Sequence, residues 1–162
     1  MTLPKYAYFK GQIVPYSQAK VGILTHGFNY GTAVFAGLRA YWNDEQEQLY
    51  LFRPRDHFQR FLNSAKIMCM EFDHDPESLT GITLELLRRE AYRRDVYVRP
   101  LAYKEDEIVG VKLHDLVDEI SIAALPFDSY VANDTNPHVT FSSGRRLDAN
   151  RIPARGKVSG AD

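Results

Sequence analysis

The sequence predicts an α+β fold, and three observations carry that reading. Strand-like segments fall early and late within residues 1–126, and two stretches with helical spacing lie together between them. The resulting order is hairpin, hairpin, helix, helix, strand, strand. That order suits a layer of helices on a sheet rather than a doubly wound array. The 162 residues are also 44% apolar and 12% aromatic, enough for an ordinary core and too much for a disordered segment.

Each element has a local reason. Residues 6–10 and 12–15 flank Lys10-Gly11 and read as a small hairpin. Residues 34–42 and 48–52 enclose the polar run Asn43-Asp44-Glu45-Gln46-Glu47, a second hairpin. Pro54 suits the first turn of a helix. Phe58, Phe61, Leu62, Ala65 and Met68 then recur at helical spacing. A second helix starts with Asp75 as cap, Pro76 at the first position and Glu77 at the positive end. Leu79, Ile82 and Leu86 keep its spacing, Leu84 and Leu87 widen the apolar face, and the pattern runs to about Arg94. Residues 96–103 and 119–125 are β-branched and apolar, so strands are expected. The Pro-, Asp- and Asn-rich residues 126–137 have linker composition. Residues 138–142 read as the first strand of a following unit, with no partner strand in view.

Composition excludes several function classes. The net charge is −1 with both signs interspersed, so no nucleic-acid footprint is present. One cysteine, Cys69, rules out an internal disulfide and fits a reducing compartment. No basic-then-apolar leader opens the sequence, and no apolar run approaches the ~20 residues of a membrane span. A cytoplasmic protein is expected. His26, His57, His74, His114 and His138 show no ligand spacing, so no metal is expected. Neither a glycine-rich phosphate loop nor a Gly-x-Ser-x-Gly elbow occurs.

Four places could carry chemistry. Lys157 sits between small residues in a segment without helical or strand period. An amine that attacks a carbonyl must be neutral to do so, and Gly156 and Gly160 would let the backbone approach a planar ligand. On sequence alone a solvated lysine is the plainer reading. Arg60 follows Arg53 and Arg55 on the first helix and suits either a solvated face or an anion. Tyr97 and Arg99 are two apart on a strand and share a face, where Arg99 needs either an ion-pair partner or a ligand. Between Gly27 and Arg39, the residues Val34, Phe35 and Leu38 read as core, and Gly37 as a bulge or a close approach.

Together these segments resemble a known family. They are Tyr30-Gly31-Thr32-Ala33-Val34-Phe35-Ala36-Gly37-Leu38-Arg39, Arg60 within Phe52-Arg53-x-x-x-His57-x-x-Arg60, Tyr97-Val98-Arg99-Pro100, Ser142-Ser143-Gly144-Arg145-Arg146 and Lys157-Val158-Ser159-Gly160-Ala161. They resemble the fold-type IV, pyridoxal-phosphate-dependent aminotransferases, most closely the branched-chain amino-acid aminotransferases, over nearly the whole chain. The resemblance implies an N-terminal half. Residues 1–126 would be a small two-layer domain, 127–137 an interdomain linker and 138–162 the truncated start of the large cofactor-binding domain.

What the resemblance implies for the site is specific. Lys157 would be the catalytic lysine that carries pyridoxal phosphate, and Arg60 would hold the cofactor phosphate. Tyr30, Phe35, Gly37, Arg39, Tyr97 and Arg99 would bind substrate, with Arg99 pairing the side-chain carboxylate of glutamate. Tyr130, in the linker, would touch substrate. Val109, Gly110 and Val111 would reach the neighbouring subunit's site in a homo-oligomer, dimer or higher. The partners would be amino acids and 2-oxo acids, with neither nucleic acid nor membrane. Asp162 departs from the family, which has tyrosine there. A carboxylate cannot donate a hydrogen bond in its place. The chain alone is expected to be inactive. The competing readings are a binding or dimerisation module without catalysis, a D-amino-acid aminotransferase and an aminodeoxychorismate lyase.

Overall fold

The computed structural model describes residues 2–127, 136, 138–144, 148 and 155–160. Strands β1 (Tyr6–Phe9) and β2 (Gln12–Pro15) form the first hairpin. Its turn places Lys10 and Gly11 at positive φ, 49° and 76°, the geometry a two-residue hairpin loop requires. Helix α1 (His26–Tyr30) follows, and left-handed Gly31 ends it. Its five residues are too few to show a period. Then come β3 (Ala33–Phe35), β4 (Leu38–Asn43), β5 (Gln48–Leu51), α2 (Pro54–Ile67), α3 (Pro76–Glu90), β6 (Val96–Lys104) and β7 (Asp118–Pro126).

The strands form one seven-stranded sheet of order β2-β1-β7-β6-β4-β5, with β3 also on β6. Strand β6 is central. It pairs β7 along its whole length, and its other edge is shared by β4 and β3 in turn. The expected single strand over 34–42 is interrupted at Ala36–Gly37. Phe35 faces Leu101 and Leu38 faces Val98, so the register runs through the gap unchanged. Pro100 explains the break. It accepts the Ala36 N–H at 3.1 Å but has no N–H to return.

Helices α2 and α3 cover one face of the sheet. Val34, Ala36, Leu38, Ala40, Val96 and Val98 pack there against Phe58, Phe61, Leu79 and Leu86. Strand alternation then turns Phe35, Gly37, Arg39, Tyr97 and Arg99 to the opposite face. The cap of α3 forms as expected. The Asp75 carboxylate accepts the Ser78 N–H at 2.7 Å, and Ser78 Oγ lies 3.1 Å from the Asp75 N–H.

Two further expectations are corrected. Helix α3 ends at Glu90 rather than near Arg94, because Ala91 turns left-handed (φ 54°) and its N–H caps Leu87 O. Residues 138–142 form no strand; no ladder partner stands beside them among the described residues, and Val139 and Phe141 are fully exposed. The expected linker falls mostly outside the described residues. Among the described residues, no helix is long and apolar enough to cross a membrane.

Helix α2 is held by Phe58 and Phe61, both fully buried. Replacing Phe61 with alanine is expected to lower stability by about 3–5 kcal/mol, read as a shift of the urea midpoint.

Candidate active site

The segment that carries Lys157 docks on the outer edge of β3. Phe35 N–H donates to Lys157 O at 3.1 Å, and Ser159 N–H donates to Ala33 O at 2.8 Å. Val158 faces Val34 and is buried in the main core. From below, the Lys157 N–H reaches Ser64 Oγ at 3.3 Å, while that hydroxyl donates to Arg60 O on α2. Gly31 and Gly160 cross closely: a Cβ on Gly31 would lie 3.2 Å from Gly160 Cα. Gly31 is also at φ +66°, so a side chain there is opposed twice. The Lys157 ammonium sits 4.3 Å from the centre of the Phe35 ring.

A cavity of about 600 Å³ opens beside that amine. Phe35, Gly37, Arg39, Tyr97 and Arg99 line it from the sheet, Arg60 from α2, and Lys157 from the docked segment. Arg99 Nε donates to Tyr97 Oη at 2.9 Å. Its guanidinium stacks over the Phe35 and Tyr97 rings at 4.7 and 5.1 Å, contacts favourable for a cation. It meets no carboxylate among the described residues, so of the two readings the ion pair is absent there. Arg39 lies 3.8 Å from Asp95 and over the rings of Tyr41 and Phe127. Gly37 is a close approach rather than a bulge: a Cβ there would come within 2.8 Å of Tyr97 Cε2.

Arg60 is exposed at the cavity rim and makes no ion pair among the described residues. The neighbouring carboxylate, Asp56, is held by Arg53 at 2.7 Å. His57, three residues before Arg60, is partly buried. Burial first, and the Arg60 charge second, hold its imidazole below the usual range.

Other expected residues lie elsewhere. Tyr30 and Val109-Gly110-Val111 do not line this cavity. They meet each other instead, with the Gly110 N–H donating to Tyr30 Oη at 2.8 Å. Tyr130 and Asp162 fall outside the described residues. Sequence reasoning missed Ser64, a polar residue on a helix face with no pattern to flag it. It also missed His26, which grips the same loop as Tyr30. A second cavity, of about 360 Å³, is mainly apolar and lined by side chains such as Phe9, Leu101 and Tyr103. No lysine or arginine lines it.

No family model matches the chain, but relatives do. A probable branched-chain-amino-acid aminotransferase of Aquifex aeolicus is 45% identical over 156 residues, which are 96% of this chain and 50% of that protein. The crystal structure of a branched-chain aminotransferase from Thermoproteus uzoniensis with norvaline is 34% identical, with a TM-score of 0.89. It covers 98% of this chain and 52% of that one. A branched-chain amino acid aminotransferase from Thermobaculum terrenum, in its PLP-bound form, is 30% identical, with a TM-score of 0.88, over 99% and 52%. A further solved branched-chain amino acid aminotransferase, complexed with N-(5'-phosphopyridoxyl)-L-glutamate, is 34% identical, with a TM-score of 0.87. The chain spans about half the length of the relatives it matches. In sequence and in fold, the chain is related to the N-terminal half of the branched-chain-amino-acid aminotransferases.

Proposed function

We propose that this chain forms the N-terminal half of an enzyme that moves the amino group of leucine, isoleucine or valine to 2-oxoglutarate, with pyridoxal phosphate as cofactor. One observation carries the reading. Among the described residues, the cavity at the Lys157 amine is lined by Arg39, Arg60 and Arg99 and by no carboxylate. Three guanidiniums without lining acids suit a phosphate and a carboxylate. The phosphopyridoxyl group joined to glutamate in the solved complex described above has both.

The residues present fit the cofactor. Arg60 would hold the phosphate and Lys157 the carbonyl carbon. When bound, pyridoxal phosphate supplies the electron sink that makes the Cα proton of an amino acid removable. The chain's own residues do the rest. Lys157 Nζ takes that proton and returns it, as general base and then acid. The Phe35 ring shields one side of the amine from water. The Tyr97 hydroxyl orients Arg99, which lines the cavity and would offer its other N–H groups to a substrate carboxylate. Gly37 leaves the room that Tyr97 fills.

The same reading extends to organisation. Residues 1–126 are the small domain, 127–137 the linker containing the substrate contact Tyr130, and 138–162 the start of the large domain. The protein is a homo-oligomer, dimer or higher, in which Val109, Gly110 and Val111 reach a neighbouring subunit's site together with the pocket wall at Tyr30. The cytoplasm is its compartment, consistent with Cys69 as a free, exposed thiol.

The test is kinetic, on the full-length polypeptide. Leucine and 2-oxoglutarate are expected to give ordinary ping-pong turnover, and Lys157→Ala to lower kcat by at least about 10²–10⁴-fold. No turnover by the unaltered protein would refute the reading. Arg99→Ala is expected to cut kcat/KM for glutamate about 10–100-fold more than for leucine, since a charged hydrogen bond is worth about 1.5–3 kcal/mol. Equal losses for both substrates would remove Arg99 from carboxylate recognition.

A further inference from the structure

We propose that His26 is the positioning residue for the loop that carries Val109 and Val111, and through that loop a determinant of how the substrate's apolar side chain is recognised. The second half of this statement rests on the function proposed above; the first half stands on geometry alone.

The loop over residues 105–117 joins β6 to β7 and contains no secondary structure beyond one bridge. Connections this long are uncommon in compact domains unless they serve a function. Its base is closed by the Glu105 N–H donating to Val117 O at 2.9 Å. Its tip presents apolar side chains outward, with Val109 74% and Val111 85% exposed. Within the loop the Val117 N–H donates to Asp106 Oδ2, and Lys112 and His114 meet Asp115, but none of these contacts involves residues 109–111 at the tip.

Helix α1 holds it. The His26 N–H donates to Asp106 O at 2.8 Å. The His26 side chain is fully buried, and both ring nitrogens are engaged. Nε2 lies 2.9 Å from Gly110 O, and Nδ1 lies 2.8 Å from Thr32 Oγ1. A carbonyl oxygen only accepts, so Nε2 must carry the proton. In the neutral ring the Thr32 hydroxyl then donates to Nδ1, which fixes the tautomer. The Tyr30 ring packs 4.6 Å from the imidazole, and its Oη accepts the Gly110 N–H. Gly110 N and Gly110 O belong to successive peptides. Both peptides flanking Gly110 are therefore gripped from one helix, which sets the directions of Val109 and Val111.

A core histidine with satisfied nitrogens would be the plainer reading. It does not explain why the acceptor of Nε2 is the tip of an exposed loop 84 residues away. Burial of a histidine whose proton is committed to that carbonyl ties the loop's shape to the core.

The experiment compares His26→Leu, which removes the donor, with His26→Gln, which keeps an N–H at a similar reach, both in the full-length protein. His26→Leu is expected to raise KM for leucine, isoleucine and valine about tenfold with kcat within about twofold, and His26→Gln to recover most of that loss. Gly110 amide exchange should quicken in His26→Leu and return in His26→Gln. Unchanged KM and unchanged Gly110 exchange in His26→Leu would overturn the proposal. Should His26→Leu not fold, the nitrogen-15 shifts of His26 in the unaltered protein decide. Protonated Nε2 with bare Nδ1 supports the grip, and the opposite tautomer overturns it. Absence of any transaminase turnover would sink the functional reading alone, because the tautomer and the amide exchange are read without substrate.

Discussion

Two backbone hydrogen bonds on the outer edge of β3 decide where the Lys157 amine lies. They run from Phe35 N–H to Lys157 O and from Ser159 N–H to Ala33 O. Between them Val158 turns into the core, so alternation directs Lys157 the other way, to the cavity. Magnitudes show why this anchor has additional support. Burying a valine contributes about 1.5–3 kcal/mol, and each hydrogen bond about 0.5–1.5 kcal/mol. Ordering three residues costs about 1–2 kcal/mol each. The terms nearly cancel, so the bond to Ser64 and the close crossing of Gly31 and Gly160 are what tip the segment onto the sheet.

The same alternation builds the rest of the site. Burial of Val34, Ala36, Leu38, Val96 and Val98 under α2 and α3 forces Phe35, Gly37, Arg39, Tyr97 and Arg99 outward as a group. Helix α2 then reaches round the edge with Arg60 and Ser64. Pro100 interrupts the ladder at Ala36–Gly37, the point where the Tyr97 ring occupies the space a side chain would need. The result is a cavity with aromatic walls, whose charges among the described residues are all positive. Such clustering costs stability unless an anion joins it, and aromatic faces over Arg99 and Lys157 moderate that cost in the meantime.

Much of this was legible in the sequence, for identifiable reasons. The two helices announced themselves through apolar spacing, and Asp75-Pro76 marked a start that the capping geometry bears out. Period-two alternation was enough to place Tyr97 and Arg99 on one face. The interruption of the 34–42 strand was not legible, because its cause is Pro100, about sixty residues away and paired only in the fold. Helix α3 stops at Ala91 without the glycine or asparagine that usually marks a left-handed cap. Residues 138–142 have strand composition, but a strand is a property of a pair, and no partner stands beside them among the described residues. Ser64 and His26 were invisible as functional residues, since each acts on a segment distant in sequence. Tyr30 and Val109-Gly110-Val111 lie outside this cavity, so the roles proposed for them are not read from it, and Tyr130 falls outside the described residues.

The central claim is that Lys157, among seven lysines, is the one the fold delivers to the cofactor. The direct measurement is to incubate the protein with pyridoxal phosphate, reduce with borohydride and map the adduct by digestion and mass spectrometry. The account expects a single reduced adduct on Lys157. An adduct on another lysine, or none on Lys157 at saturating cofactor, would contradict it.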